Sequence, residues 1–585
     1  MNRFLKWRIR HISNRNFILV LSVVLGFTSG FAAVLIKNMV YLIRTFLTRG
    51  FSTSFDNYLL IIYPAIGIAS VLLLMNFVIK VRVGHGVPTV LHAISSTKGL
   101  VRRHNLYSSI LTSTLTVGFG GSVGLEGPTV ATGGAIGSNL GQLLHLSYRQ
   151  IILLIGCASA GAMSAIFKAP IAAIVFVLEV IMLDLTMSSL VPLLLSSTTA
   201  ALTSYWFLGQ DVLYKVKDIP KFEMSHILLF VVLGLFTAAV SVYYIRVIDW
   251  TGNWFDRVKS KIVKWLIGGT ILGFLVFLFP SLYGEGYEVI NSGLNRNIEF
   301  LFKESPFFSF EGNLIAVIVL LFLLLFVKAI ATGVTFGAGG VGGIFAPSLF
   351  AGMTAGILFT VVYNHLFHQH LPWTNFALVG MAGMVAGILH APLTAIFLIA
   401  EITMAYSLFL PLMITATISY AVVKYFEPNS VYHIQLARRK QLFTHDKDKV
   451  VLSLMRVDKL IERNFTTIRL DATLGDLVKA ISQTRRNIFP VVDDGMVFYG
   501  MVILDDIRGI MFRPELYENT FVRNLMIKPD VTIDPDDTVE EVVKKFNLSG
   551  KFNIPVIKDD RYIGFISRAR LFSSYRQLLK KWSED

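Results

Sequence analysis

The sequence predicts an all-α polytopic membrane domain followed by a smaller cytoplasmic α/β domain, and three observations carry that prediction. The 585 residues are 54% hydrophobic and only 16% charged, with a mean hydropathy of +0.63, whereas a soluble domain carries about 25% charged residues. Apolar runs of roughly spanning length fill 17–45, 58–79, 227–246, 313–333, 374–399 and 402–423. Near residue 433 the composition turns charged, with short β-rich runs such as "IFPVVDD" and "FNIPVIKDD".

At the N-terminus, "MNRFLKWRIRHISNR" holds Arg3, Lys6, Arg8, Arg10 and Arg15 and no acid. The positive-inside rule places this segment, 1–16, in the cytoplasm. The first apolar run continues well past the length of a signal-peptide core, so no cleavable leader is expected. The net charge of +15 reads as basic loops against an anionic leaflet. No long basic block lies beside aromatic residues in a soluble domain, which argues against nucleic acid as a partner. Cys157 is the only cysteine, so one chain holds neither a disulfide framework nor a thiolate metal site.

The membrane part, about 17–432, repeats itself in two halves, about 17–210 and 225–432. "FKAPIAAIVFVLE" (167–179) returns as "LHAPLTAIFLIAE" (389–401), with nine positions from proline to glutamate in both. "GLEGP" (124–128) corresponds to "GIFAP" (343–347), and the two offsets, 219 and 222 residues, agree. Helices broken by Gly and Pro at matching places in two halves point to a transporter or channel with its site between the halves.

Three loops carry the chemistry: "GHGVP" (84–88), "GLEGP" and "GIFAP". Proline suits the first turn of a helix, and glycine lets free backbone N–H groups approach a ligand. A helix start carries roughly half a positive charge and unpaired donors, so it favours an anion. Several such starts converging would hold a dehydrated anion without a fixed Lys or Arg. Glu126 is the only ionisable residue of 118–141, and a charge at that depth needs a partner or a task. "GAGGVG" (337–342) matches the dinucleotide fingerprint only formally: it follows a membrane-length apolar run, and no acid lies about 20 residues on. No nucleophile–base pairing or metal-ligand cluster in the membrane part suggests an enzyme.

The three loops, the two proline–glutamate repeats and "VYHIQLAR" (431–438) closely resemble the CLC family of chloride channels and chloride/proton antiporters. The tail, after a linker at 433–449, resembles a tandem CBS-domain pair, at 450–515 and 516–580. The resemblance implies an inverted-repeat fold of broken, tilted helices, a homodimer with one pore per subunit, and residence in the plasma (cell inner) membrane with the CBS pair cytoplasmic. It makes Glu126 the gate, which fills an outer anion site when ionised and leaves when protonated. It places the anion among His85 and Gly86, Gly124 and Gly127, the amides of Ile344 and Phe345, and Tyr432 on the cytoplasmic side. Chloride is then the substrate and no cofactor is required.

Departures from the family pattern shape the expectations. His85 stands where chloride-selective relatives have serine, offering an N–H donor when neutral and a positive charge when protonated, so selectivity or conductance should follow pH. Leu125 stands where many relatives have a basic residue, so the outer vestibule should attract anions less strongly. Val180 replaces the inner glutamate of proton-coupled relatives and cannot relay a proton. Glu179, which precedes it, and the equivalent Glu401 of the second repeat are expected to cap or pair at helix ends. The sequence therefore reads as a voltage- and pH-gated chloride channel. A chloride/proton antiporter using the same site is the alternative, and a CBS-regulated divalent-cation channel, which would need pore-facing carboxylates, is remote. In the CBS pair, Asp506 holds the ribose-contacting position and Ser567 keeps the hydroxyl of the second copy, so an adenine nucleotide (ATP, ADP or AMP) is a candidate ligand. Ile503 and Arg570, which replace the usual hydroxyl and acid, favour a structural role instead.

Overall fold

A computed structural model describes residues 8, 10–49, 56–81, 83–84, 86–181, 187–210, 213–216, 219–302, 305–307, 312–438, 452 and 455–583. The chain forms two compact units, 1–442 and 443–585.

The first unit is helical. Its elements are α1 Asn14–Arg49, α2 Asp56–Leu73, α3 Val87–Ser96, α4 Asn105–Gly118, α5 Glu126–Leu143, α6 Tyr148–Phe167, α7 Pro170–Phe176 and α8 Met187–Leu208 in the first half. The second half holds α9 Ile227–Arg257, α10 Lys261–Leu278, α11 Tyr287–Leu294, α12 Leu314–Ala338, α13 Phe345–Phe367, α14 Trp373–Leu389, α15 Pro392–Thr403, α16 Phe409–Phe426 and α17 Val431–Arg438. Among the described residues, eight helices are long and apolar enough to cross a membrane.

Helix ends follow local chemistry. The apolar run 374–399 is two helices, because Pro392 cannot continue the hydrogen-bond ladder and His390 turns the backbone left-handed at φ 57°. The run 402–423 begins inside α15 and is interrupted before α16. The expected boundary at 432 falls inside α17. Ser147 and Gln150 form a reciprocal capping box that starts α6.

Small residues set the packing in both halves. Gly133 of α5 lies so close to α6 that an added methyl would sit 2.5 Å from the Ala158 carbonyl oxygen, and Gly137 meets Leu154 in the same way. In the second half, methyls on Gly352 and Gly356 of α13 would sit 2.6 Å from the Gly380 oxygen and the Ala377 Cα of α14. Without a hydrophobic drive between helices in lipid, such close backbone contact is what holds them together. Both broken helix starts therefore sit on tight helix pairs.

The second unit holds two α/β copies. In the first, β1 (Ile468–Arg469), β2 (Ile488–Val492) and β3 (Phe498–Ile503) form a sheet in that order, β1–β2 parallel and β2–β3 antiparallel, with α18 (Leu474–Ser482) between β1 and β2. In the second, α19 (Val539–Ser549) precedes the antiparallel pair β4 (Asn553–Lys558) and β5 (Arg561–Ser567), and α20 (Arg568–Ser583) follows. Where the first copy has β1, this copy has one parallel bridge, Ile533 to Val556. Thr473 with Asp476 and Thr538 with Glu541 cap α18 and α19 in matching capping boxes. The two hairpin tips pair through Phe498 N–H to Asp560 O at 2.9 Å and Tyr562 N–H to Met496 O at 2.9 Å.

Candidate functional site

The three glycine–proline loops meet. Gly124 and Gly343 form an antiparallel bridge, with N–H···O distances of 2.8 and 2.6 Å, so the starts of α5 and α13 are tied back to back. Gly86, at φ +85°, presses on Gly127, where an added methyl would lie 2.6 Å from the Gly127 Cα. A methyl on Gly343 would lie 2.8 Å from the Gly127 nitrogen. Only glycine permits these approaches. His85 lies outside the described residues.

Each start offers backbone donors. The first bond of α5 runs from Thr129 N–H to the Leu125 oxygen, and that of α13 from Ser348 N–H to the Ile344 oxygen. The earlier amides of Glu126, Gly127, Phe345 and Ala346 have no carbonyl one turn before them. Pro128 and Pro347 supply no donor at all. Two opposed first turns thus aim amide dipoles at one region.

Glu126 fills that region. It is 2% exposed, and its Oε1 accepts a hydrogen bond from the Tyr287 hydroxyl. Its Oε2 has no well-formed hydrogen bond, although the amides of Glu126 and Ala346 face the carboxylate. A methyl on Gly124 would overlap that oxygen. The carboxylate therefore stands where opposed helix starts favour negative charge. Phe345, the counterpart of Glu126, packs its ring 5.2 Å from Phe167 and 6.2 Å from Phe176. Tyr432, 4% exposed, is within electrostatic reach of Glu126, and its helix α17 packs on α3 of the "GHGVP" loop.

Glu179 and Glu401 cap helices, each in the opposite half. Glu179 accepts from Leu393 N–H at 3.1 Å, Thr394 N–H at 2.8 Å and the Thr394 hydroxyl at 2.7 Å, at the start of α15. Glu401 accepts from Ile171 N–H at 3.2 Å and Ala172 N–H at 2.9 Å, at the start of α7. Val180 follows in a stretch wound as a π-helix, 177–181.

Charged groups that no motif marks lie about Glu126. Lys328 is fully buried, donates to the Ser122 hydroxyl at 2.8 Å and lies over the Phe350 ring at 4.7 Å. Lys37 donates to the Ile166 oxygen at 2.5 Å. Glu285 accepts the Leu125 amide at 3.3 Å. Their signal in the sequence was Lys37 in the run 17–45, which also holds Arg44, a lone charge in the run 313–333, and an acid between two glycines at 284–286.

In the second unit, Asp506 is exposed on the short helical turn after β3. Ser567 is committed elsewhere: its hydroxyl donates to Glu462 Oε1 at 2.5 Å, and Arg486 holds the other oxygen of Glu462 at 3.1 Å. A cleft between the copies is lined by Met501, Pro529, Asp530, Lys551 and Pro555 among others, and neither predicted nucleotide residue lines it.

Opposed helix starts, a buried carboxylate between them and an inverted duplication define an anion transporter of the membrane. Residues 66–424 match the family described as voltage gated chloride channel, and 457–513 and 522–576 match the CBS domain. The chain is 30% identical over 361 residues to a ClcB-like chloride channel protein of Ralstonia nicotianae, covering 61% of this chain and 80% of that one. It is 26% identical over 450 residues to the H(+)/Cl(-) exchange transporter ClcA of Yersinia pestis, covering 74% and 90%. The crystal structure of a slow cyanobacterial Cl-/H+ antiporter shares the fold, with a TM-score of 0.63 at 24% identity over 73% of this chain and 98% of that one. The chain belongs to the CLC family of anion transporters and carries a C-terminal pair of CBS domains.

Proposed function

We propose that this protein is a CLC-type chloride channel whose gate is the Glu126 carboxylate. The observation that carries the reading is the meeting of the two repeats' helix starts around that side chain. An ionised carboxylate is itself a small anion, so it competes with chloride for the same amides. Protonation ends its claim on them. Its occupancy then depends on pH, on anion concentration and on voltage, since moving one charge across the field is worth about 2.3 kcal/mol per 100 mV. The amides of Ile344 and Phe345 and the Tyr432 hydroxyl serve the ion on the cytoplasmic side, and His85 makes selectivity sensitive to pH.

Val180 supports conduction without proton exchange, and Glu179 beside it is engaged as a helix cap. Exchange is the second reading, favoured by the names of ClcA and the cyanobacterial antiporter. We assign the protein to the plasma membrane as a homodimer, with its basic N-terminus and CBS pair in the cytoplasm. The CBS pair serves mainly as a structural support, since Ser567 is bonded to Glu462. Calorimetric titration of the full chain with ATP, ADP and AMP should show no saturable heat, and saturable binding would restore the nucleotide reading.

The decisive test is anion flux in reconstituted vesicles, with and without a proton gradient, comparing wild type with Glu126→Gln. The channel reading expects a reversal potential that ignores the pH gradient, and a variant whose flux no longer responds to pH. A reversal potential that follows the pH gradient would establish exchange.

A further inference from the structure

A second carboxylate stands beside the gate, and the duplication does not account for it. Glu285 lies in the turn "GEGY" (284–287), where Gly284 and Gly286 adopt φ of +66° and +83°, a conformation that side chains other than glycine resist. The turn aims Glu285 inward, so that its Oε1 accepts the amide of Leu125, the residue immediately before the gate, at 3.3 Å. Two residues further on, Tyr287 donates to the Glu126 carboxylate itself. One short turn thus holds the side chain of the gate and the backbone of the residue before it.

Charges from three helices face Glu285: Lys37 and Arg44 of α1, Lys328 of α12 and Glu126 of α5. The phenols of Tyr214 and Tyr287 also lie within reach, their rings 6.0 Å apart. Lys37 also faces Lys168, and Arg44 pairs with Glu288 at 2.6 Å. A proton taken up by Glu126 adds one positive charge to this set, which an entering anion balances. The charge on Glu285 thereby enters the competition between gate and ion.

We propose that Glu285 is a positioning residue for the gate, whose negative charge beside the Gly124–Leu125 peptide sets the pH at which Glu126 yields its place to an anion. The inference rests on the reading of Glu126 as the gate. Two carboxylates this close repel when both are ionised, and the proton taken up by either belongs to the pair. Lys37 acts in the opposite sense by favouring the ionised gate.

The test is anion flux against pH, equal on both sides of the membrane, for the full chain reconstituted as wild type, Glu285→Gln, Lys37→Gln, the double variant and Glu126→Gln. Glutamine at 285 keeps an acceptor for the Leu125 amide and removes only the charge. The flux midpoint of Glu285→Gln should move to lower pH by about one unit or more. That of Lys37→Gln should move to higher pH, and the double variant should fall between them. If Glu285→Gln fails to assemble, the direction of the Lys37→Gln shift decides: an acidic shift or none overturns the proposal. A wild-type midpoint in Glu285→Gln, with pH dependence abolished in Glu126→Gln, would overturn it and leave the gate intact. Persistent pH dependence in Glu126→Gln would instead overturn the gate reading beneath it.

Discussion

The two halves of the membrane unit place the same loop in the same setting and fill it with opposite chemistry. "GLEGP" and "GIFAP" each break a helix, each offer first-turn amides, and bond to one another through Gly124 and Gly343. One presents a carboxylate to the meeting point, and the other sends a phenyl ring against Phe167 and Phe176. The reciprocal caps show the same economy, with Glu179 and Glu401 each closing a helix of the other half. Duplication builds the frame, and departures from it at Glu126, Glu285 and Tyr287 make the device.

This comparison can be broken by filling its centre. Gly343→Ala would place a methyl 2.8 Å from the Gly127 nitrogen, and transport should fall about tenfold or more, because overpacking of this kind costs about 1–3 kcal/mol. Gly550→Ala, at a glycine with nothing within 4 Å, should leave flux unchanged. A Gly343→Ala protein that conducts like wild type would separate the meeting of loops from function.

A smaller effect sharpens the contrast between the halves. Tyr287→Phe removes the hydroxyl that holds the ionised gate, so the flux midpoint should move to higher pH by less than about one unit. A shift to lower pH would mean that the phenol does not hold the ionised gate.

Smaller again are the reciprocal caps. Glu179→Gln and Glu401→Gln should each lower thermal stability by about 1 kcal/mol. Glu179 should cost more, because it accepts from three donors and Glu401 from two. Equal losses would show that the Thr394 hydroxyl adds nothing.

The least effect is expected in the second unit. The carboxyls of Asp476 and Glu541 are held below the usual range, first by the backbone N–H of Thr473 and Thr538 and then by their hydroxyls. A lowered folded value means support that is present above the unfolded value of about 4 and lost as pH falls through the folded one. Thr538→Ala should slightly lower the melting temperature at neutral pH, and that deficit should shrink in acid.

Much of this was legible because glycine and proline announce broken helices, and a repeat announces symmetry. The meeting of the loops followed from "GLEGP" and "GIFAP" at matching positions. The partners of Glu179 and Glu401 did not, because the sequence sets each glutamate at the end of its own helix while the fold exchanges them between halves. Glu285 and Tyr287 escaped notice because "GEGY" reads as an ordinary turn, and its reach to Leu125 spans 160 residues. Ser567 matched a nucleotide pattern, yet only packing reveals that Glu462 already claims its hydroxyl.

The most direct measurement is anomalous scattering from crystals of Glu126→Gln grown in bromide. The account predicts a bromide peak among the first-turn amides of α5 and α13, where wild type holds its carboxylate. A vacant centre in the variant, or a cation resting there, would contradict it.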